Sequence, residues 1–208
     1  MTDSRVKLRR GLIWGLLVVT LLAVAGAALF QKMDRTEPPL AFGPAPEFEL
    51  TNRDGRTVRS SDLAGKPWIA DFIFTRCPAS CPIMTTRMAR LNEDLEGVDF
   101  RLVSISVDPE HDTPEVLRRY AESFKAPDRW LFLTGDRDEI HRLSKEGFKL
   151  GIDDNPPPPA PGEPPTEPIL HSTRIVLVDG AGQIRGYYNA FSDEDLKKLE
   201  KDLRAIEG

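Results

Sequence analysis

Hydrophobic positions fall along the chain in three different ways. Over residues 11–30 they run unbroken: GLIWGLLVVTLLAVAGAALF holds twenty residues and no charge. Coiled as a helix, such a run is about 30 Å long, the thickness of a bilayer core. Over residues 32–46 the chain is Pro-rich and polar with neither a helical nor a strand period, which predicts a tether. Beyond it, apolar residues return in short blocks. Phe48-Glu49-Leu50 and a stretch around Val58 flank Asn52-Arg53-Asp54-Gly55, whose Asp-Gly pair supplies a positive-φ turn, so a β-hairpin is predicted. Residues 68–75 (WIADFIFT) read as a strand buried in mid-sheet. Met84, Met88, Leu91 and Leu95 keep helical spacing, and residues 100–107 (FRLVSISV) alternate with the strand period of two.

Thr113-Pro114 then opens a helix as N-cap and first-turn proline, with Val116, Leu117, Tyr120 and Phe124 on one face. Residues 130–133 form a short strand, and residues 136–148 a helix with Ile140 and Leu143 inward. Residues 155–168 (NPPPPAPGEPPTEP) hold eight prolines in fourteen positions, which excludes helix and central strand and predicts an extended, exposed loop. Residues 173–178 and 183–188 flank the turn Asp179-Gly180-Ala181-Gly182 as a second hairpin. Ser192 caps a last helix whose Leu196, Leu199, Leu203 and Ile206 face the core. The predicted order is β-hairpin, βαβα, βα, β-hairpin, α. That is an α/β sheet covered by helices. Both cysteines of the chain follow the first long strand and precede a helix, which is the thioredoxin-like placement.

Charge sets the organisation. Arg5, Lys7, Arg9 and Arg10 precede the apolar run against one acid, Asp3, so by the positive-inside rule the N-terminus stays in the cytoplasm and the remainder crosses. The expected layout is a basic N-terminus (1–10), a single transmembrane anchor (11–30), a Pro-rich tether (31–46) and a folded domain (47–208). A cleaved signal peptide, cut near Ala23-Val24-Ala25, is the alternative, but the apolar run exceeds the usual signal core of roughly 7–15 residues. With no Arg- and Ser-rich transit segment ahead of it, a bacterial inner membrane fits better than a mitochondrial one, with the domain in the periplasm. Residues 32–208 carry 24 basic and 32 acidic side chains, a net of −8. That acidity argues against nucleic acid as a partner.

A chain of 208 residues with 40% hydrophobic content can bury a core without disulfide staples, so Cys77 and Cys81 are expected to do chemistry. Cys77, ahead of a helix N-terminus, is placed where a thiolate is favoured. On an ideal helix the β-carbons of a pair four apart lie about 5–6 Å from each other, whereas a disulfide needs about 3.8 Å. Closure therefore requires local adjustment or a helix that starts at Cys81. A metal clamp needs no sulfur–sulfur contact, and thiolates select soft ions, Cu(I) foremost. A stable disulfide, a redox couple and a metal site all remain open on spacing alone. Of the three histidines, His111 lies in a turn, His141 in a charged helix, and His171 starts a strand directly after the Pro-rich loop, an edge that in a thioredoxin-like sheet lies beside the cysteine turn. Asp71, alone in an apolar strand, is either a structural hydrogen-bonded group or a carboxyl with a raised pKa that shuttles a thiol proton. Met84 reads as core, Asp108 as a turn residue, and Arg76 either faces a thiolate or solvent.

Three segments, FIFTRCPASCP, SISVDPEHDTPEVLRRYAESF and ILHSTRIVLVDGAGQIRGYY, resemble in order three blocks of the Sco/SenC family, membrane-anchored copper proteins of cytochrome c oxidase assembly. The resemblance covers roughly residues 44–205. It implies a thioredoxin-like fold and a copper site, Cu(I) and in some states Cu(II), whose two cysteine and one histidine ligands fall on Cys77, Cys81 and His171. The family's acidic residue after the second strand falls on Asp108. The implied role is that of a metallochaperone and not an enzyme. Its implied partners are the copper-bearing subunit of the oxidase and other periplasmic copper chaperones or thiol reductases. The rival is a thiol–disulfide oxidoreductase with Cys77 as nucleophile and Cys81 as resolving thiol, which needs both cysteines but not His171. The insert before His171 is unusually Pro-rich for the family.

Overall fold

The computed structural model describes residues 14–22, 24, 40–153 and 170–207, and the chain divides into two units, residues 1–37 and 38–208. In the first unit residues 14–22 and residue 24 are helical. The rest of the expected anchor, and the basic segment before it, lie outside the described residues, as does the Pro-rich segment 155–168. Among the described residues no helix is long and apolar enough to cross a membrane.

The second unit is built on a mixed sheet. Its strands are β1 (Gly43–Pro44), β2 (Glu49–Asn52), β3 (Thr57–Arg59), β4 (Trp68–Ile73), β5 (Arg101–Ser106), β6 (Trp130–Thr134), β9 (Arg174–Val178) and β10 (Gln183–Asn189), and they lie in the order β1-β10-β9-β4-β5-β6-β2-β3. Two further strands, β7 (Ile152–Asp153) and β8 (Leu170–His171), pair only with each other. At the centre β4, β5 and β6 run parallel. Parallel neighbours need crossovers. The helix Ser80–Asp94 makes the first and the helix Pro114–Ser123 the second. β9 returns antiparallel to β4, and β10 antiparallel to β9.

The local chemistry agrees with the elements. Gly55, at φ 82°, makes the tight turn between β2 and β3, a backbone state that a β-carbon disfavours. Thr113 Oγ1 accepts from the Val116 N–H at 3.4 Å with Pro114 in the first turn, and Ser192 Oγ accepts from the Asp195 N–H at 3.2 Å. Every residue of β4 is buried. β5 departs from its pattern: the period of two predicts one polar face, yet Ser104 and Ser106 are as buried as Leu102 and Ile105. Central strands covered on both faces need apolar residues or internally satisfied polar ones. The serines are of the second kind.

Two further differences concern element limits. The tether was expected to lack strand structure to residue 46, but Gly43–Pro44 adds to the sheet edge, and Phe42 N–H and Ala45 N–H donate to the carbonyls of Ile184 and Gly182, each at 2.8 Å. The helix Arg137–Arg142, capped by Asp136 Oδ1 on the Glu139 N–H, widens into a π turn over Leu143–Gly147. That turn delivers Phe148 into the core, edge-on to Trp68 at 6.0 Å and to Phe72 at 5.7 Å between ring centres. Such aromatic contacts add about 0.5–1.5 kcal/mol beyond burial.

Candidate metal centre

β4 ends at Ile73 and the cysteine helix starts at Ser80, so Cys77 stands in the connecting turn and Cys81 in the first helical turn. The estimate for two cysteines on one ideal helix therefore does not apply. Ala79, at the N-cap, has no side chain that accepts a hydrogen bond. Sulfur takes over that duty: the Cys81 N–H donates to Cys77 Sγ at 3.3 Å, and the Phe74 N–H donates to Cys81 Sγ at 3.3 Å. Ser80 Oγ lies 3.3 Å from Cys77 Sγ. Each sulfur thus receives a backbone amide, one of them an amide that a helix start leaves without an intrahelical partner. The two sulfurs are not bonded to each other, and both residues are buried, Cys77 at 5% exposure and Cys81 at 0%. Burial pushes the Cys81 thiol far above its ordinary range, and the Phe74 amide offsets this only in part. A thiolate at Cys81 therefore calls for a compensating cation in contact with the sulfur.

Three carboxylates surround this turn. Asp108 accepts from Arg76 Nε at 3.0 Å and Arg76 Nη2 at 2.6 Å, so Arg76 engages the turn after β5. Asp108 does more than shape that turn. Asp112, fully buried, accepts from the Thr75 N–H at 3.0 Å, Thr75 Oγ1 at 2.5 Å and Ser106 Oγ at 2.5 Å. Asp71, also fully buried, accepts from Ser104 Oγ at 2.6 Å, and Ser104 Oγ in turn accepts from Trp130 Nε1 at 3.0 Å. Asp71 Oδ2 has no hydrogen-bond partner among the described residues. Burial drives its carboxyl up to about 7, with Ser104 pulling the other way. Asp71 therefore has the hydrogen bond of the structural expectation, and burial gives it the raised pKa, though not the proton-shuttling role, of the other. Met84 is fully buried in the core, as its spacing predicted.

His171 does not begin a strand that continues to Val176, as its sequence suggested. It ends β8, where it pairs with Ile152, and Ser172-Thr173 separate it from β9. Its side chain lies outside the described residues. The backbone fixes the end of the sheet at which β9, three residues further on, begins. In the antiparallel pair of β4 and β9, Trp68 faces Val178 and Ala70 faces Val176, so the chain enters β9 at the end where β4 leaves for Cys77. His111 is exposed in the turn that carries Asp112, and His141 is half-buried on the helix Arg137–Arg142. Among the described residues no group of three His, Cys, Asp or Glu side chains is arranged to hold a metal ion.

A dithiol turn between a central parallel strand and its crossover helix, with an antiparallel strand beside it, defines a dithiol protein of the thioredoxin-like class. A family model described as SCO1/SenC matches residues 38–206, and the chain belongs to that family. It is 33% identical over 203 residues to the SCO1 protein homolog of Bacillus subtilis (strain 168), covering 96% of this chain and 97% of that one. Among solved structures it resembles BsSco, a member of the Sco family of cytochrome c oxidase assembly proteins in which a disulfide switch was identified, with a TM-score of 0.70 and 32% identity over 83% of this chain and 98% of that one. It also resembles Bradyrhizobium japonicum ScoI with copper bound, with a TM-score of 0.65 and 25% identity over 78% of this chain and 99% of that one. These likenesses support the mixed α/β, thioredoxin-like architecture expected from the order of elements.

Proposed function

We propose that this chain is a membrane-anchored copper metallochaperone that binds Cu(I), and in a second state Cu(II), through Cys77, Cys81 and His171. The copper is cargo, passed to the copper centre of a cytochrome c oxidase subunit. The observation that carries the reading is the pair of buried sulfurs on one turn, each held by a backbone amide. Support comes from a solved relative with copper bound and another described with oxidase assembly. A site of two thiolates and one neutral imidazole leaves a soft ion open to attack by an incoming ligand, which suits transfer. The anchor over residues 11–30 keeps donor and membrane-bound acceptor on one surface and raises their effective concentration.

A second reading has its own observation. Cys77 and Cys81 touch through the Cys81 amide, and BsSco carries a disulfide switch, so the pair also suits thiol–disulfide exchange with the acceptor's cysteines. His171 separates the two readings. In cells whose oxidase depends on this chain, His171→Ala is expected to abolish assembly of the oxidase copper centre, read as oxidase activity and copper content. Full maturation with His171→Ala, alongside loss with either cysteine variant, would overturn the copper reading in favour of the exchange reading.

Topology is tested separately. Protease added outside spheroplasts is expected to degrade the domain of residues 38–208 and to leave an N-terminal fragment in the membrane. Protection of the domain until the membrane is lysed would contradict the periplasmic placement.

A further inference from the structure

The turn between β5 and the helix Pro114–Ser123 does more than connect them. It grips the segment leading into Cys77 at two successive residues. Asp112 takes both the amide and the hydroxyl of Thr75, and Asp108 takes the Arg76 guanidinium in two hydrogen bonds. The grip is tied into the sheet. Ser106, the last residue of β5, donates its hydroxyl to Asp112 at 2.5 Å and accepts the Asp108 N–H at 3.1 Å. The Asp112 N–H closes the turn on the Asp108 carbonyl at 2.8 Å. One carboxylate thus gathers three donors in a fully buried position, two of them from a residue two places before Cys77. A turn that only had to cap its helix needs none of this, because Thr113 already caps that helix.

We propose that Asp112 is a positioning residue for the dithiol site: it acts through Thr75 to fix the backbone from which Cys77 projects, and so sets both copper affinity and the access of reagents to the Cys77 sulfur. The copper half of this statement rests on Cys77 being a ligand; the access half does not. A carboxylate is required because three donors converge. An asparagine offers one acceptor oxygen, and its amide group is itself a donor, so it cannot receive the Thr75 amide and both hydroxyls in their present orientations. Outer groups that orient a ligand typically change metal affinity about 10–100-fold when removed.

The test uses the full-length chain in mild detergent, comparing the parent with Asp112→Asn, Thr75→Val and Thr75→Ser. Two quantities are read well below each melting temperature: the rate at which iodoacetamide labels Cys77 in the metal-free chain, resolved by peptide mass spectrometry, and Cu(I) affinity by competition with a chromophoric chelator. Asp112→Asn is expected to label about tenfold faster and to bind Cu(I) about 10–100-fold more weakly. Thr75→Val should shift both quantities in the same direction, and the double variant should fall short of the sum of the two. Thr75→Ser, which keeps both hydrogen bonds, should match the parent. If Asp112 served stability alone, the melting temperature would fall while labelling and affinity stayed within about twofold of the parent, and that result overturns the proposal. If the parent itself binds no Cu(I), the ligand assignment fails, and the labelling rates alone decide on Asp112. Should Asp112→Asn not fold, Thr75→Val gives the same decision.

Discussion

Replacing Asp71 by Asn shifts folding stability in the variant's favour by on the order of 4 kcal/mol between about pH 4 and about pH 8. The carboxyl is fully buried in β4, one oxygen is without a hydrogen-bond partner among the described residues, and burial raises its pKa to about 7. An unfolded Asp titrates near its ordinary value of about 3.9. Between the two values the folded chain holds a proton that the unfolded chain has released, so stability falls as pH rises through that window and levels off above the folded pKa. Asparagine keeps an acceptor for Ser104 Oγ and carries no charge, so its profile lacks this term. Urea unfolding of the full-length chain across the pH range checks it. Parallel profiles for parent and variant would contradict the account. The same carboxylate, once charged, is a secondary cause that disfavours a thiolate at Cys81, the larger cause being burial. Burial thus favours the protonated forms of the Asp71 carboxyl and of the metal-free Cys81 thiol.

The second large effect falls on the sulfurs. Cys77→Ser and Cys81→Ser are each expected to weaken Cu(I) binding roughly a thousandfold or more, about 4 kcal/mol. A hydroxyl is a hard donor that stays protonated at neutral pH, and Cu(I) selects soft thiolate. The fold should survive both changes. A serine at 77 can still accept the Cys81 N–H, and one at 81 can still accept the Phe74 N–H, so the helix start keeps its acceptors. Competition titration together with melting curves separates the two quantities. Affinity within about tenfold of the parent in either variant would remove that cysteine from the ligand set.

Much of this was legible in the chain. The helix-covered sheet follows from the order of elements, the Asp54-Gly55 turn and the Thr113 and Ser192 caps follow from short-range chemistry, and the dithiol turn follows from where FTRCPASCP interrupts a strand–helix junction. What the sequence hid depends on contacts between distant segments. Ser104 and Ser106 sit on the polar beat of an alternating strand, and nothing local says that each meets a buried carboxylate, Asp71 in the next strand and Asp112 six residues on. The pattern Asp-Pro-x-x-Asp-Thr-Pro was visible as part of a family block, but the grip of Asp112 on Thr75 appears only when β4 and β5 lie side by side. The break between β8 and β9 escaped for a related reason. Residues 171–178 read as one strand until Ile152 takes His171 as its own partner. His171 is a candidate only through its position after a Pro-rich segment and through the family block, since an isolated histidine carries no ligand signal.

X-ray absorption at the copper edge of the Cu(I)-loaded full-length chain reads the ligand set directly. One copper per chain is expected, with two sulfur neighbours and one nitrogen neighbour, the nitrogen lost in His171→Ala and one sulfur lost in each cysteine variant. A spectrum with sulfur neighbours alone that is unchanged by His171→Ala, or a chain that leaves all copper with the competing chelator, would contradict that ligand set.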